Sequence, residues 1–99
     1  MGVDRDEAKS LICKKGLMET LLALKKQDAM YKEELAVASG LSSAWVDRQL
    51  KELEHLKVVD SYIEGRKKYF ILTDIGKEAV KIISSVDRNI DKLQDILTG

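Results

Sequence analysis

Three adjacent cations, Arg66, Lys67 and Lys68, follow Gly65 inside the stretch SYIEGRKKYFILTDIG (residues 61–76). Like charges placed side by side repel one another, and only solvent or an anion offsets the cost. The chain as a whole is neutral, with 17 basic and 17 acidic residues, so this is a local concentration of charge. Such a cluster can meet phosphates, or it can keep an exposed hairpin from pairing with other strands, as edge lysines do. Other reactive side chains are sparse. Cys13 is the only cysteine, which excludes an internal disulfide or a cysteine-based zinc site and suits a reducing compartment. An isolated cysteine with apolar neighbours is expected to be buried and inert. His55 is also alone. With no pairing of nucleophile and base in view, the sequence does not read as an enzyme, and neither a cofactor nor a metal is expected.

The elements that hold these residues follow from composition and period. At 99 residues, 44% of them apolar and 34% charged, with no proline, the chain reads as helix-rich with a single core. Residues 6–26 are predicted as one helix, with Leu11, Met18, Leu21 and Leu22 on one side and Lys14, Lys15, Lys25 and Lys26 on the other; Gly16 weakens it without ending it. YKEELAVASG gives a short second helix stopped by Gly40. A third follows in SAWVDRQLKELEHL, where Val46, Leu50, Leu53 and Leu56 fall at helical spacing and Ser42 or Ser43 caps the start. The tight turn between these two helices makes a helix-turn-helix.

After Lys57 the period shortens to about two residues, and VVDSYI and KYFILT form a hairpin around EGR. Thr73 caps a last helix running from about Asp74 to Leu97. Along it Ala79, Ile83, Val86, Ile90, Leu93 and Leu97 make a coiled-coil seam. The seam can pack on the first helix of its own chain or on a second copy; its distal part has little of its own chain to meet, which favours a homodimer. The expected organisation is therefore residues 1–73 as the helix-turn-helix and hairpin unit and residues 74–99 as a dimerisation helix.

The segment LAVASGLSSAWVDRQLKELEHLKVVDSYIEGRKKYFILTDIGKEAV (residues 35–80) resembles the core of MarR, ArsR and PadR-like transcriptional regulators, including small archaeal members. The resemblance is carried by the Leu-Ala…Gly-Leu-Ser turn, the Val-x-x-x-Leu-x-x-Leu register and Leu-Thr-x-x-Gly after the second strand. It implies a winged helix-turn-helix, mainly α with a small β-hairpin, whose third helix enters the DNA major groove while the hairpin, or wing, lies over the backbone or minor groove. Carried over by position, the contacts to double-stranded DNA fall on Ser43, Ala44, Trp45, Asp47, Arg48 and Lys51, and on Arg66, Lys67 and Lys68 of the wing. Arg48 suits a bidentate contact to guanine O6 and N7.

Three residues depart from the pattern. Trp45 stands where a small polar residue is usual, and either stacks on a sugar or thymine methyl or buries itself between helices. Asp47 repels phosphates unless Arg48 or Lys51 neutralises it or a cytosine amino group donates to it. Lys57 replaces a glycine, so that either it adopts positive φ or the turn differs. Charge adds little, since residues 42–72 hold six cations against five anions. A winged helix used as a protein-interaction module in a transcription or replication assembly is the alternative reading. The N-terminus lacks the apolar run of a signal peptide and nothing approaches a membrane span, so a soluble, cytoplasmic protein with no membrane partner is expected.

Overall fold

The computed structural model describes residues 4–14 and 16–99. Lys15, assigned above to a polar helix face, lies outside them. The chain opens with α1 (Arg5–Cys13) and α2 (Leu17–Leu24), then β1 (Met30–Tyr31), α3 (Lys32–Ser39), α4 (Ser43–His55), β2 (Val59–Glu64), β3 (Lys67–Leu72) and α5 (Asp74–Thr98). Asp4 starts α1 through a capping box: its carboxylate accepts from the Glu7 N–H at 2.8 Å, while Glu7 accepts from the Asp4 N–H.

The single helix predicted for residues 6–26 is two helices. Gly16 sits between them at φ 92°, left-handed, and a Cβ there would strike Nε1 of the Trp45 indole. Only glycine meets both demands, and the helix breaks where it stands. Cys13, expected to be buried, is exposed as the last residue of α1. The hairpin has gained a third strand, because β1 pairs antiparallel with β3 (Met30 with Phe70, Tyr31 with Tyr69), giving the order β1-β3-β2.

The β2–β3 register runs from Val59 opposite Leu72 to Glu64 opposite Lys67, so Gly65 and Arg66 form a two-residue turn. Alternation places Phe70 in the core and leaves Tyr69 half-buried on the other face. Leu17, Leu21, Leu35, Val46, Leu50 and Leu53 are almost completely buried at the centre of the core. Each such leucine contributes about 1.5–3 kcal/mol of transfer free energy. Ser42 is the cap of α4, accepting from the Trp45 N–H at 3.2 Å.

At the far end of α4 the Lys57 N–H donates to the Glu54 carbonyl (3.0 Å) and the Val58 N–H to the Leu53 carbonyl (3.2 Å). This paired closure requires a left-handed residue, and Lys57 adopts it at φ 65°. Val58 then receives α5. Its carbonyl accepts from the Thr73 N–H at 3.1 Å, Thr73 Oγ1 donates to the Lys57 carbonyl at 2.8 Å, and the same oxygen caps α5 by accepting from the Gly76 N–H at 3.0 Å. Gly76 lies so close to the Val58 carbonyl oxygen that a Cβ would overlap it. The Leu-Thr-x-x-Gly sequence is thus the joint between hairpin and final helix.

The 25 residues of α5 extend about 37 Å. Its first half belongs to the core: Val80, Ile83 and Ser84 are buried, and Lys25 Nζ donates to Ser84 Oγ at 3.1 Å. From Arg88 onward every residue is exposed, which draws the molecule out to 51 × 34 × 22 Å. Among the described residues no helix is long and apolar enough to cross a membrane.

Candidate nucleic-acid interface

With Val46, Leu50 and Leu53 turned into the core, α4 presents Ser43, Ala44, Arg48 and Lys51 to solvent and keeps Trp45 and Asp47 half-buried. Gln49, a position the sequence reading left unassigned, is buried beside Gly16. Trp45 goes to the inter-helix site, its indole lying over Gly16 at the α1–α2 break. The Arg48 guanidinium lies 5.8 Å from the centre of the Trp45 ring, close enough for a cation–π contact. Lys51 Nζ is 3.4 Å from the Asp47 carboxylate, so Lys51 is the cation that neutralises it. On the neighbouring flank Lys14 pairs with Glu52 at 3.4 Å, tying the end of α1 to the side of α4.

Between α4, the start of α3 and the β2–β3 turn runs a groove of about 550 Å³. Asp47, Lys51 and Glu54 line it from α4, Arg66, Lys67 and Lys68 from the hairpin, and Tyr31, Lys32 and Glu33 from the start of α3. Five cations here face three carboxylates, a more positive balance than residues 42–72 show as a whole. The fold therefore brings together five of the residues singled out from the sequence: Asp47, Lys51, Arg66, Lys67 and Lys68. Trp45 and Arg48 instead line a recess on another flank of α4, with Lys14, Gln49 and Glu52. Tyr31 and Lys32 had no signal in the sequence beyond the start of a helix, because a two-residue strand has no period to detect.

The hairpin cations differ in their surroundings. Lys67 Nζ lies 4.0 Å from the centre of the Tyr31 ring and Lys68 Nζ lies 5.4 Å from that of Phe70, while Arg66 occupies the turn itself. Both lysines remain exposed, so leaning on a ring costs them little hydration.

Helix, helix-turn-helix, hairpin and terminal helix in this order, with one face of α4 bare beside a cationic turn, describe an architecture shared with solved proteins. BpsR of Bordetella bronchiseptica, whose DNA binding is regulated by 6-hydroxynicotinic acid, is 22% identical over 76% of this chain and 59% of its own, with a TM-score of 0.71. A PadR family transcription regulator from Clostridium difficile R20291 is 27% identical over 85% of this chain and 100% of its own, with a TM-score of 0.70. The MarR family transcription regulator SP03579 is 15% identical over 89% of this chain and 60% of its own, with a TM-score of 0.73. The chain has the winged-helix fold of these regulators. It spans about three fifths of the length of BpsR and SP03579. Neither a protein-family model nor a curated protein sequence matches it. In winged-helix terms α4 is the second helix of the helix-turn-helix and the β2–β3 hairpin is the wing.

Proposed function

We propose that this chain is a sequence-specific double-stranded-DNA-binding transcription regulator that works as a homodimer, with the recognition helix in the major groove and the wing on the backbone or minor groove. The observation that carries the reading is the groove between recognition helix and wing, where Lys32, Lys51, Arg66, Lys67 and Lys68 surround a space open to a phosphate backbone. An α-helix has the width that the major groove of B-DNA admits, and Ser43, Ala44, Arg48 and Lys51 lie on the exposed face of α4. The DNA-binding or regulatory roles of BpsR and the PadR and MarR family proteins support the same assignment.

The dimer part of the reading rests on α5. Ile83 is buried in its own chain, and Ala79 and Val86 are half-buried, so the seam left for a partner is carried by Ile90, Leu93 and Leu97, with Val86 at its edge. A dimer doubles the phosphate contacts of a chain whose own charges balance. The deciding experiment is a salt titration of binding to mixed-sequence duplex DNA. A log–log slope steep enough for several phosphate contacts per dimer is expected, since each neutralised phosphate releases about 0.9 counterions. No salt-dependent affinity at all would leave the protein-interaction reading in its place, for which the Asp47 and Glu54 carboxylates in the groove are the favourable feature.

A further inference from the structure

Tyr31 sits where helix-turn-helix and wing meet, and it touches both. Its backbone is the N-cap of α3 and donates to Glu34 Oε1 at 3.1 Å. The same residue pairs with Tyr69 across β1–β3, and the two rings meet edge to face at 5.9 Å. Tyr69 in turn stacks on Tyr62 at 5.6 Å, with planes 19° apart. A row of three tyrosines thus crosses the outer face of the sheet from β2 to the start of α3. At the groove end of that row, the open face of Tyr31 carries the Lys67 ammonium.

Lys67 has another partner available. Glu64 stands directly opposite it in the hairpin register, the usual place for a cross-strand ion pair, yet the two do not come within 4.0 Å. The difference matters chemically. A carboxylate would cancel the ammonium charge, whereas an aromatic face holds the group in place and leaves its full charge and its N–H donors for an anion. Lysine is also among the side chains that lose most freedom when fixed, so a contact made before binding removes part of that cost.

We propose that Tyr31 is the positioning residue for the wing: it holds Lys67, charged and unpaired, over the groove where a backbone phosphate of bound nucleic acid would sit. The inference rests on the DNA-binding reading above and adds a residue to it that makes no contact with a base. It makes Tyr31 and Lys67 one unit, which a double-mutant cycle reads directly. Binding to a mixed-sequence duplex is measured for the parent, Tyr31→Leu, Lys67→Ala, the double variant and Tyr31→Phe, each checked by circular dichroism for an unchanged melt.

Tyr31→Leu should weaken binding about threefold on every sequence, the scale of an exposed cation–π contact. Tyr31→Phe keeps the ring and should bind as the parent does. In the Lys67→Ala background, Tyr31→Leu should cost nothing further. In the free protein, the methylene protons of Lys67 should be shifted upfield by the ring in the parent and in Tyr31→Phe, and lose that shift in Tyr31→Leu. The same loss from Tyr31→Leu with and without Lys67 would overturn the proposal, as a general effect of β1 on the fold. Normal binding by Tyr31→Leu would overturn it as well. A parent with no salt-dependent affinity for DNA would instead overturn the DNA-binding reading, and this inference with it.

Discussion

At the scale of single residues, Arg48 has two surfaces competing for its guanidinium. At rest the group lies 5.8 Å from the centre of the Trp45 ring, and a guanine edge would have to draw it away. A cation–π contact at an exposed site amounts to about 0.5–1 kcal/mol, less than the discrimination a bidentate guanine contact supplies, so the guanine wins when it is present. Arg48→Ala should cost about 1–3 kcal/mol on the preferred site and relax the choice at one base position per half-site. Affinities for single-base operator variants check this, and an equal loss on all of them would make Arg48 a phosphate contact. Two backbone positions predict stability instead. Lys57 holds a left-handed conformation at φ 65°, which costs a non-glycine residue about 1–2 kcal/mol, partly recovered through its less flexible unfolded chain. Lys57→Gly should therefore raise unfolding stability by up to about 1 kcal/mol, seen as a higher denaturant midpoint. Gly76→Ala should lower it by about 3 kcal/mol, because the atom its Cβ meets is the Val58 backbone oxygen, which cannot swing aside as a flexible side chain does.

At the scale of elements, the wing is a hairpin whose strands are positioned by core residues at its base and whose tip carries charge. Val59, Phe70 and Leu72 seat the base, while Arg66, Lys67 and Lys68 are exposed. Arg66→Ala with Lys67→Ala should thus leave fold and dimer intact, weaken binding by a similar factor on every DNA sequence, and lower the salt slope by about 1 per lost phosphate contact. A double variant with the parent's affinity and salt dependence would show a solvated turn. The elements legible in the sequence are those whose signal is local. Val46, Leu50 and Leu53 give α4 its period, Ser42 and Thr73 cap helices with their own side chains, and the shift to alternation after Lys57 marks the hairpin. The misread elements depend on distant chain. Gly16 takes the left-handed conformation that breaks the first helix, and it must be glycine there because Trp45, which follows two helices later, occupies the space a Cβ would need. β1 is a strand only because Phe70 and Tyr69 are there to pair with it. The groove divides along the same line: its hairpin cations stand out as a run in the sequence, whereas Tyr31 and Lys32 enter it through the pairing of β1 with β3 and the packing of α3 against β3.

At the scale of the whole molecule, the question is what covers the outer half of α5. Val80, Ile83 and Ser84 anchor the helix in the core, but Ile90 is 45% exposed, Leu93 54% and Leu97 75%. Four such residues, counting Ile96, along the last two and a half turns amount to a stripe that a water-exposed helix end has no reason to keep, and isolated helices of this length are marginal in water. A second α5 would bury the stripe and would fix the separation of two recognition helices, on which simultaneous entry into successive major grooves depends. Ile90→Glu tests this cleanly. The residue is partly solvated in the single chain, so a glutamate there leaves the core of Leu17, Leu21, Leu50 and Leu53 untouched and the variant chain folded, losing only the stability that association adds. In a paired seam the same glutamate meets its apolar neighbours from both chains, and burying an unpaired carboxylate is costly enough to dissociate the dimer. Sedimentation at micromolar concentration should give a dimer mass for the parent and a monomer mass for the variant. DNA binding should fall with it, because each half-site must then be found separately. A variant that keeps the dimer mass would remove the outer half of α5 from the interface and leave the groove between α1 and α5, lined by Ala8, Ile12 and Ile82, as the surface on which two copies meet.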